Sequence, residues 1–453
     1  GKKGSRFSDQ LRGINLEEVL IVAIDAAKLH QKALICNYFG DVIEKPFFFS
    51  VNSLGITELC TKIKHASSKA NAQRIFLGVE ATGHYYEDIV RELGTKGYGV
   101  QIFNAYTTFE ERSSALSWCK TDDLDLVALA HAIMRNKGTE FTLSEGTQRQ
   151  LLTLSRARRS EVNKRSTLQV EIRVLMDHIW REFQGYAVMD NKKRKTQKIF
   201  SDFWGKTPLF FMEHYPHPSS ILKLGELEIR KLSRQHNLKM RDTTIQRLLF
   251  AANHSLSRSK EELTPELLIL KMKIQSLKIF NENIKNLEKE METLLLKTDG
   301  LLLLTVPGIG VVSAAEFYSE LGDISKYDHP SQLIKKAGTN PIVKQSGGSG
   351  GYYGKISKQG NSHLRHVLYH IGHTLSVHNK DLMPFYERLK GKGKHYRKLY
   401  VALGNKFLKI AFAMLRDKKP FISNQPDFQI NHEINKKLRY HSFKNQQLVT
   451  LVA

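Results

Sequence analysis

Three cysteines in 453 residues, Cys36, Cys60 and Cys119, are few, odd in number and not in CxxC spacing. That excludes a disulfide framework and a structural zinc site, and it fits a reducing, cytosolic setting. Long apolar runs are missing too. Stretches such as Leu20–Ile24 and Leu301–Val306 fall far short of the roughly 20 residues that span a bilayer. No secretory leader is expected, because the basic start runs into a strand-like pattern without a cleavage site. Residues Gly1–Arg6 read as an appended or frayed end and are set aside. Acid is also in short supply: 45 Asp+Glu face 69 Lys+Arg, a formal charge of +24 and a pI near 9.7. Such an excess draws in polyanions and gains from the counterions they release. With no membrane span expected, nucleic acid is the favoured polyanion. Apolar residues at 41% and charged residues at 25% are enough to build cores, and the length suggests two to four structural units.

From Leu20 to about Asn136 the pattern alternates between strands and helices. Leu20–Asp25, Lys32–Phe39 and Val42–Val51 read as strands, the last two separated by Gly40-Asp41 in a meander. Ser53–Ser67 has helical spacing, Arg74–Glu80 is a buried strand, His84–Leu93 a helix and Gly99–Ala105 a fifth strand, followed by a helix over Asp122–Met134. This is a mixed α/β sheet. Near residue 147 the character changes. Leu151, Leu154, Leu168, Ile172, Leu175 and Ile179 keep a heptad register across one helix from Gln148 to Phe183, and Leu267 to Leu295 carries a second heptad run. The two suit either an antiparallel pair within one chain or a dimerising coiled coil. Residues 186–262 are polar, basic and expected to be helical. The expected division is 18–146 (α/β), 147–185 and 263–298 (coiled-coil helices) flanking 186–262, then 299–420 (mostly α) and a basic tail, 421–453.

Two constellations carry chemistry. Asp25 and Glu80 each end a buried strand, where an unpaired carboxylate is costly, and both strand ends would open on one crevice. Asp122 and Asp125, three apart at a helix start, share a face; singly, each could be a first-turn acid that complements the helix dipole. Four converging carboxylates repel one another unless cations neutralise them, and hard oxygen donors suit Mg²⁺ or Mn²⁺, as in metal-assisted phosphoryl transfer. The second constellation is the Gly/Ser loop Gln345-Ser346-Gly347-Gly348-Ser349-Gly350, flanked by Lys344, Tyr352, Tyr353, Lys355, Lys358 and Arg365. Such a loop is most often only flexible, yet a serine beside cations could attack a phosphate once activated.

The order Asp25…Glu80…Lys120-Thr121-Asp122-x-x-Asp125, then Val306-Pro-Gly-Ile-Gly310 and Gln345-Ser346-Gly…Ile356-Ser-Lys-x-Gly360…Leu364-Arg365, resembles the DEDD-type insertion-sequence transposases. These are the bridge-RNA-guided recombinases whose N-terminal domain is RuvC-like. The resemblance runs from about Leu20 to Pro420 and takes in Tyr215-Pro-His-Pro218 and the stretch Pro384–Pro420. It implies a RuvC-like (RNase H-like) fold for the α/β domain. It also implies that Asp25, Glu80, Asp122 and Asp125 form a metal-binding tetrad for Mg²⁺ (or Mn²⁺), with Ser346 as nucleophile and Ser349 as its rival within the loop. Donor and target DNA, a structured guide (bridge) RNA and a dimer assembling to a tetramer are the implied partners.

Basic residues supply the expected nucleic-acid contacts. Arg156, Arg158, Arg159, Lys164 and Arg165 crowd the first coil with only Glu161 to offset them, which favours phosphate contact over a solvated face. Lys390, Lys392, Lys394, Arg397 and Lys398, interleaved with Tyr396 and Tyr400, suit backbone and stacking contacts. Pro307–Gly310 is either an ordinary turn or a phosphate grip through its backbone N–H groups. Three function classes follow: a serine-dependent recombinase, with an invertase as its close variant; a two-metal structure-specific nuclease that needs no serine; and a non-enzymatic nucleic-acid scaffold.

Overall fold

Val19 to Ile24 are all fully buried, which a strand achieves only when both faces of its sheet are covered. In this computed structural model, which describes residues 11–81, 83–114, 122–140, 146–190, 193–344, 352–358, 360–444 and 447–448, they form β1 (Val19–Asp25). Two compact units make up the chain, Gly1–Leu143 and Ser144–Ala453.

In the first unit β1 pairs antiparallel with β2 (His30–Asn37), and β2 with β3 (Val42–Ser50). On its other side β1 runs parallel to β4 (Arg74–Glu80), which is parallel to β5 (Val100–Phe103). A short β6 (Thr139–Glu140) closes the order β3-β2-β1-β4-β5-β6. Side chains alternate across a strand, and the two faces have different covers. Leu20, Val22 and Ile24 pack with Ile56, Leu59 and Ile63 of α1 (Ser53–Lys69) and Ile89 and Leu93 of α2 (Tyr86–Thr95). Val19, Ile21 and Ala23 pack with Leu126, Leu129 and Ile133 of α4 (Asp122–Met134). A further helix, α3 (Ala105–Ser114), precedes α4.

The second unit is built on two long helices, α5 (Gly146–Trp180) and α9 (Thr264–Leu295). Arg158 meets Glu288, Arg165 meets Asn281 and Glu171 meets Lys273. The partners ascend on one helix as they descend on the other, so the heptad seam is an antiparallel pair within the chain. At one end the pair packs with a hairpin, β7 (Tyr186–Asp190) and β8 (Lys193–Gln197), and with α6 (Lys206–His214), α7 (Pro218–Gln235) and α8 (Asp242–Asn253). Trp180, Phe183, Phe211, Ile229, Leu248 and Ile274 lie in that core. Residues 186–262 are therefore not helical throughout, because the charged strand of the hairpin, Lys-Arg-Lys-Thr-Gln, hides its alternation.

At the other end Leu151, Met291 and Leu295 join a second core. The run Leu301–Leu304 enters it as a fully buried 3₁₀ turn within Asp299–Thr305. Around it stand α10 (Val311–Leu321), α11 (Pro330–Ala337), α12 (Ser362–His378), α13 (Met383–Lys390) and α14 (Tyr396–Arg416). Helices α12 and α14 touch backbone to backbone: a Cβ on Gly372 would lie 1.9 Å from the Tyr400 carbonyl oxygen, and one on Gly404 2.4 Å from that of Leu368. The stretch read as a basic tail, 421–453, is packed in its described part. Its α15 (Ile430–Asn435) buries Ile434, and Glu292 of α9 accepts the backbone N–H groups of Arg439, Tyr440 and His441. Sequence periodicity missed this because the segment is held by a buried carboxylate and by Lys437, which donates to the Leu304 and Val306 carbonyls.

Candidate catalytic acids and serine hairpin

Asp25 and Glu80 are partners in the register of β1 and β4, side by side at the carboxyl ends of two parallel strands. Alternation puts Asp25 on the face of Val19, Ile21 and Ala23, and Glu80 on the face of Phe76 and Gly78; both faces turn toward α4. The helix approaches closely at Gly78, where a Cβ would lie 2.6 Å from the Ile133 side chain. Its first turn is tied to the same corner of the sheet. Lys32, opposite Asp25 in the β1–β2 register, meets Asp123 at 2.5 Å. Asp125 is half-buried on this helix, and Asp122 opens it, its side chain outside the described set. Among the described residues no group of three His, Cys, Asp or Glu gathers at metal-holding distance. Sequence reasoning missed Lys32, an alternating strand lysine with no local signal; only the register with Asp25 reveals it.

Ser346 and Ser349 lie outside the described residues, but the structure brackets them. Strands β9 (Pro341–Lys344) and β10 (Tyr352–Ile356) pair antiparallel, Lys344 opposite Tyr352, so residues 345–351 connect a hairpin. The base of this hairpin is anchored. The Ser357 N–H donates to the Asn340 carbonyl at 2.9 Å, and Arg365 donates to the carbonyls of Ala337 and Lys358 at 3.0 and 3.2 Å. Lys355 and Lys358 are exposed. Asn361 caps α12 with its side-chain oxygen and donates to Glu320 at 2.7 Å.

That contact leads into a charge network the sequence did not suggest. Arg156 grips Glu320 with two bonds of 2.9 and 3.2 Å, and Arg158 bridges Glu288 and Glu316. Burial raises the Glu320 pKa, but the hydrogen bonds from Arg156 and Asn361 overcome it and hold the carboxyl below its usual range. At Glu316, one turn earlier, burial wins over Arg159 and Arg158 and the pKa rises. Burial also lowers the His363 pKa against the pull of Glu320, and the ring nitrogen faces Arg159 at 2.9 Å. Between Arg156 and Arg165 the sequence offers only Glu161 as an acid, and it pairs with Lys164 at 2.8 Å; the other partners come from α9 and α10. By contrast, Gly391 to Lys398 are exposed throughout, as is Lys390, so Lys390, Lys392, Lys394, Arg397 and Lys398 form a solvent-facing basic strip, with Arg397 over the Tyr396 ring. Gly308 of the Pro307–Gly310 turn has φ +92°, a conformation open to glycine, and Gly310 is the N-cap of α10. No described helix is long and apolar enough to cross a membrane.

Comparison with known proteins gives two family matches in order along the chain. Residues 22–181 match a DEDD transposase model of the IS110 type, and residues 300–387 match the transposase IS116/IS110/IS902 family. The chain is 24% identical over 231 residues to an uncharacterized 44.8 kDa protein of insertion element IS116 from Streptomyces clavuligerus, covering 51% of this chain and 57% of that one. It is 31% identical over 121 residues to a pilin gene-inverting protein of Moraxella bovis, covering 26% and 38%. It is 30% identical over 120 residues to the transposase for insertion sequence element IS1111A of Coxiella burnetii, covering 26% and 33%. The chain thus spans about half the length of the first of these relatives, and less of the other two.

Proposed function

From the premise that this chain belongs to the IS110-type DEDD transposases, we propose that it is a DNA transposase or site-specific recombinase that cleaves and rejoins DNA through Ser346. The observation that carries the reading is the pairing of Asp25 with Glu80 at the ends of adjoining parallel strands, on the face covered by the helix that bears Asp122 and Asp125. The α/β unit is then a RuvC-like domain.

The donor set fits a divalent cation. All four groups are carboxylates, hard oxygen ligands that suit Mg²⁺ or Mn²⁺ and that repel one another without a cation between them. When bound, the ion would neutralise charge on the scissile phosphate and polarise its oxygens. Asp25, Glu80, Asp122 and Asp125 would hold it, and Lys32 positions the first turn of α4 through Asp123. Ser346 is the attacking group. Its Oγ forms a bond to phosphorus, one phosphate–deoxyribose bond breaks, and the proton lost by the serine is balanced by the one gained by the departing strand hydroxyl. One phosphodiester is exchanged for another, so a strand hydroxyl can reverse the step and reseal DNA without ATP. Lys344, Lys355 and Lys358 flank the loop, and the basic strip of Lys390–Lys398 and the cations of α5, Arg159, Lys164 and Arg165 among them, contact nucleic-acid phosphates. A structured guide RNA and a homo-oligomer, dimer to tetramer, complete the proposed assembly.

The pilin gene-inverting relative favours a second reading within the same chemistry, a site-specific invertase. The test of the shared claim is strand cleavage of a supercoiled substrate by Asp25→Asn and Glu80→Gln. Loss of cleavage with DNA binding retained supports the reading. Unchanged cleavage removes the acids from it, and free-ended products from a fully active Ser346→Ala protein turn it into a plain nuclease. Sequencing RNA that co-purifies with the protein tests guidance: a discrete structured species is expected, and its absence removes the guide.

A further inference from the structure

Where the long helix α5 leads into the 186–262 segment lies an aromatic cleft of about 270 Å³ lined by Arg173, Gln184, Lys198, Asp202, Phe203 and Trp204, among others. Phe203 and Trp204 stand edge to face, their centroids 4.9 Å apart at 88°, and form an aromatic corner. The Arg173 guanidinium lies over both rings, at 4.9 and 5.4 Å. The corner is fixed from below. Asp202 accepts the Trp204 backbone N–H at 3.0 Å, and Phe203 packs against Phe183, which is only 1% exposed. Phe203 and Trp204 themselves stay partly open to solvent. Cations crowd the approach: Lys198 lies in the lining, and Arg194 and Lys195 are exposed on β8, which runs directly into it.

We infer that this cleft holds one unstacked base of a single-stranded nucleic acid, the ring stacking on Trp204 with its edge toward Phe203 while Arg173, Lys198 and the β8 cations meet the adjoining phosphates. Three observations converge on that ligand class. An aromatic corner that stays partly open to solvent is a surface on which bases stack regardless of their sequence. The guanidinium held over those rings places a cation beside any base that enters. A chain with a charge of +24 favours polyanions. A paired base could not enter, because its π-face is already covered by its neighbours in the duplex. None of these residues belongs to the acids or the serine hairpin, so base binding here is separate from how DNA is cut.

The test is an anisotropy titration of the full chain with short labelled strands, deoxyribo and ribo in separate arms, and with a blunt duplex. Trp204→Ala should weaken single-strand binding roughly tenfold or more and leave duplex binding unchanged, with Trp204→Phe recovering most of the loss. The arm with the greater loss identifies DNA or RNA as the source. Lys198→Ala leaves the rings in place and should lower the salt slope of single-strand binding by about one phosphate contact. Single-strand affinity unchanged in Trp204→Ala, an equal loss on duplex and single strand, or a salt slope untouched by Lys198→Ala would each overturn the assignment.

Discussion

Gly78 lies two residues before Glu80, where α4 meets the sheet, and adding one methyl group there tests the geometry of the acids. A Cβ at Gly78 would stand 2.6 Å from Ile133 and 2.7 Å from Phe103, short of ordinary contact at 3.4 Å by 0.8 and 0.7 Å. Neither neighbour can swing into solvent, since they are 0% and 1% exposed. Overpacking of this size costs about 1–3 kcal/mol. Alanine returns about 0.5–1 kcal/mol by restricting the unfolded chain, so Gly78→Ala should destabilise by a net of up to about 2.5 kcal/mol. The strain relaxes by lifting α4, which displaces Asp122 and Asp125 from Asp25 and Glu80; a misplacement near 1 Å lowers a reaction rate on the order of a hundredfold. Denaturant unfolding of the full chain and cleavage of its DNA substrate read the two effects. Gly94→Ala is the control. A Cβ there meets nothing within 4 Å, so it should be neutral or slightly stabilising with full cleavage. Parental stability and parental cleavage in Gly78→Ala would refute the close approach of α4 and the site built on it.

Arg158→Met leaves Glu288 and Glu316 without their shared cation and should cost about 3 kcal/mol in unfolding experiments. A loss of DNA affinity with no loss of stability would instead make it a phosphate contact. Glu292→Ala removes the acceptor for three backbone N–H groups, so limited proteolysis beyond residue 436 should accelerate; an unchanged rate would mean the segment is held by other contacts. Burial pushes the Lys437 pKa down to about 8, against the pull of Glu433. Between that value and the free-lysine value near 10.4 the unfolded chain binds the extra proton, so stability should rise with pH, by at most about 1.4 kcal/mol per unit. Lys437→Met should lack that rise, and identical slopes would contradict the burial of the ammonium.

The strands that carry Asp25 and Glu80 were legible because burial on both faces writes a continuous apolar run that ends on an acid. The spans Arg74–Glu80 and Asp122–Met134 are the same in sequence and structure. The register of Asp25 with Glu80 was not legible, since nothing local states which strands are parallel neighbours. The arginines of α5 show the opposite limit. Their cluster looks unbalanced along the helix, but Glu288, Glu316 and Glu320 approach from more than a hundred residues away in sequence. The hairpin that carries the Gly/Ser loop was hidden by its short strands, and β7–β8 by its charge. The heptads fixed where the long helices lie but not their partner, because antiparallel pairing within a chain and dimerisation between chains use the same apolar seam.

Ser346 as the group that takes the DNA strand is the central claim, and the direct measurement is mass spectrometry of peptides from a denaturation-resistant protein–DNA adduct. A nucleotide-bearing peptide modified at Ser346 is expected, and it should disappear in Ser346→Ala. A modification at Ser349, or an adduct that persists in Ser346→Ala, would contradict the claim.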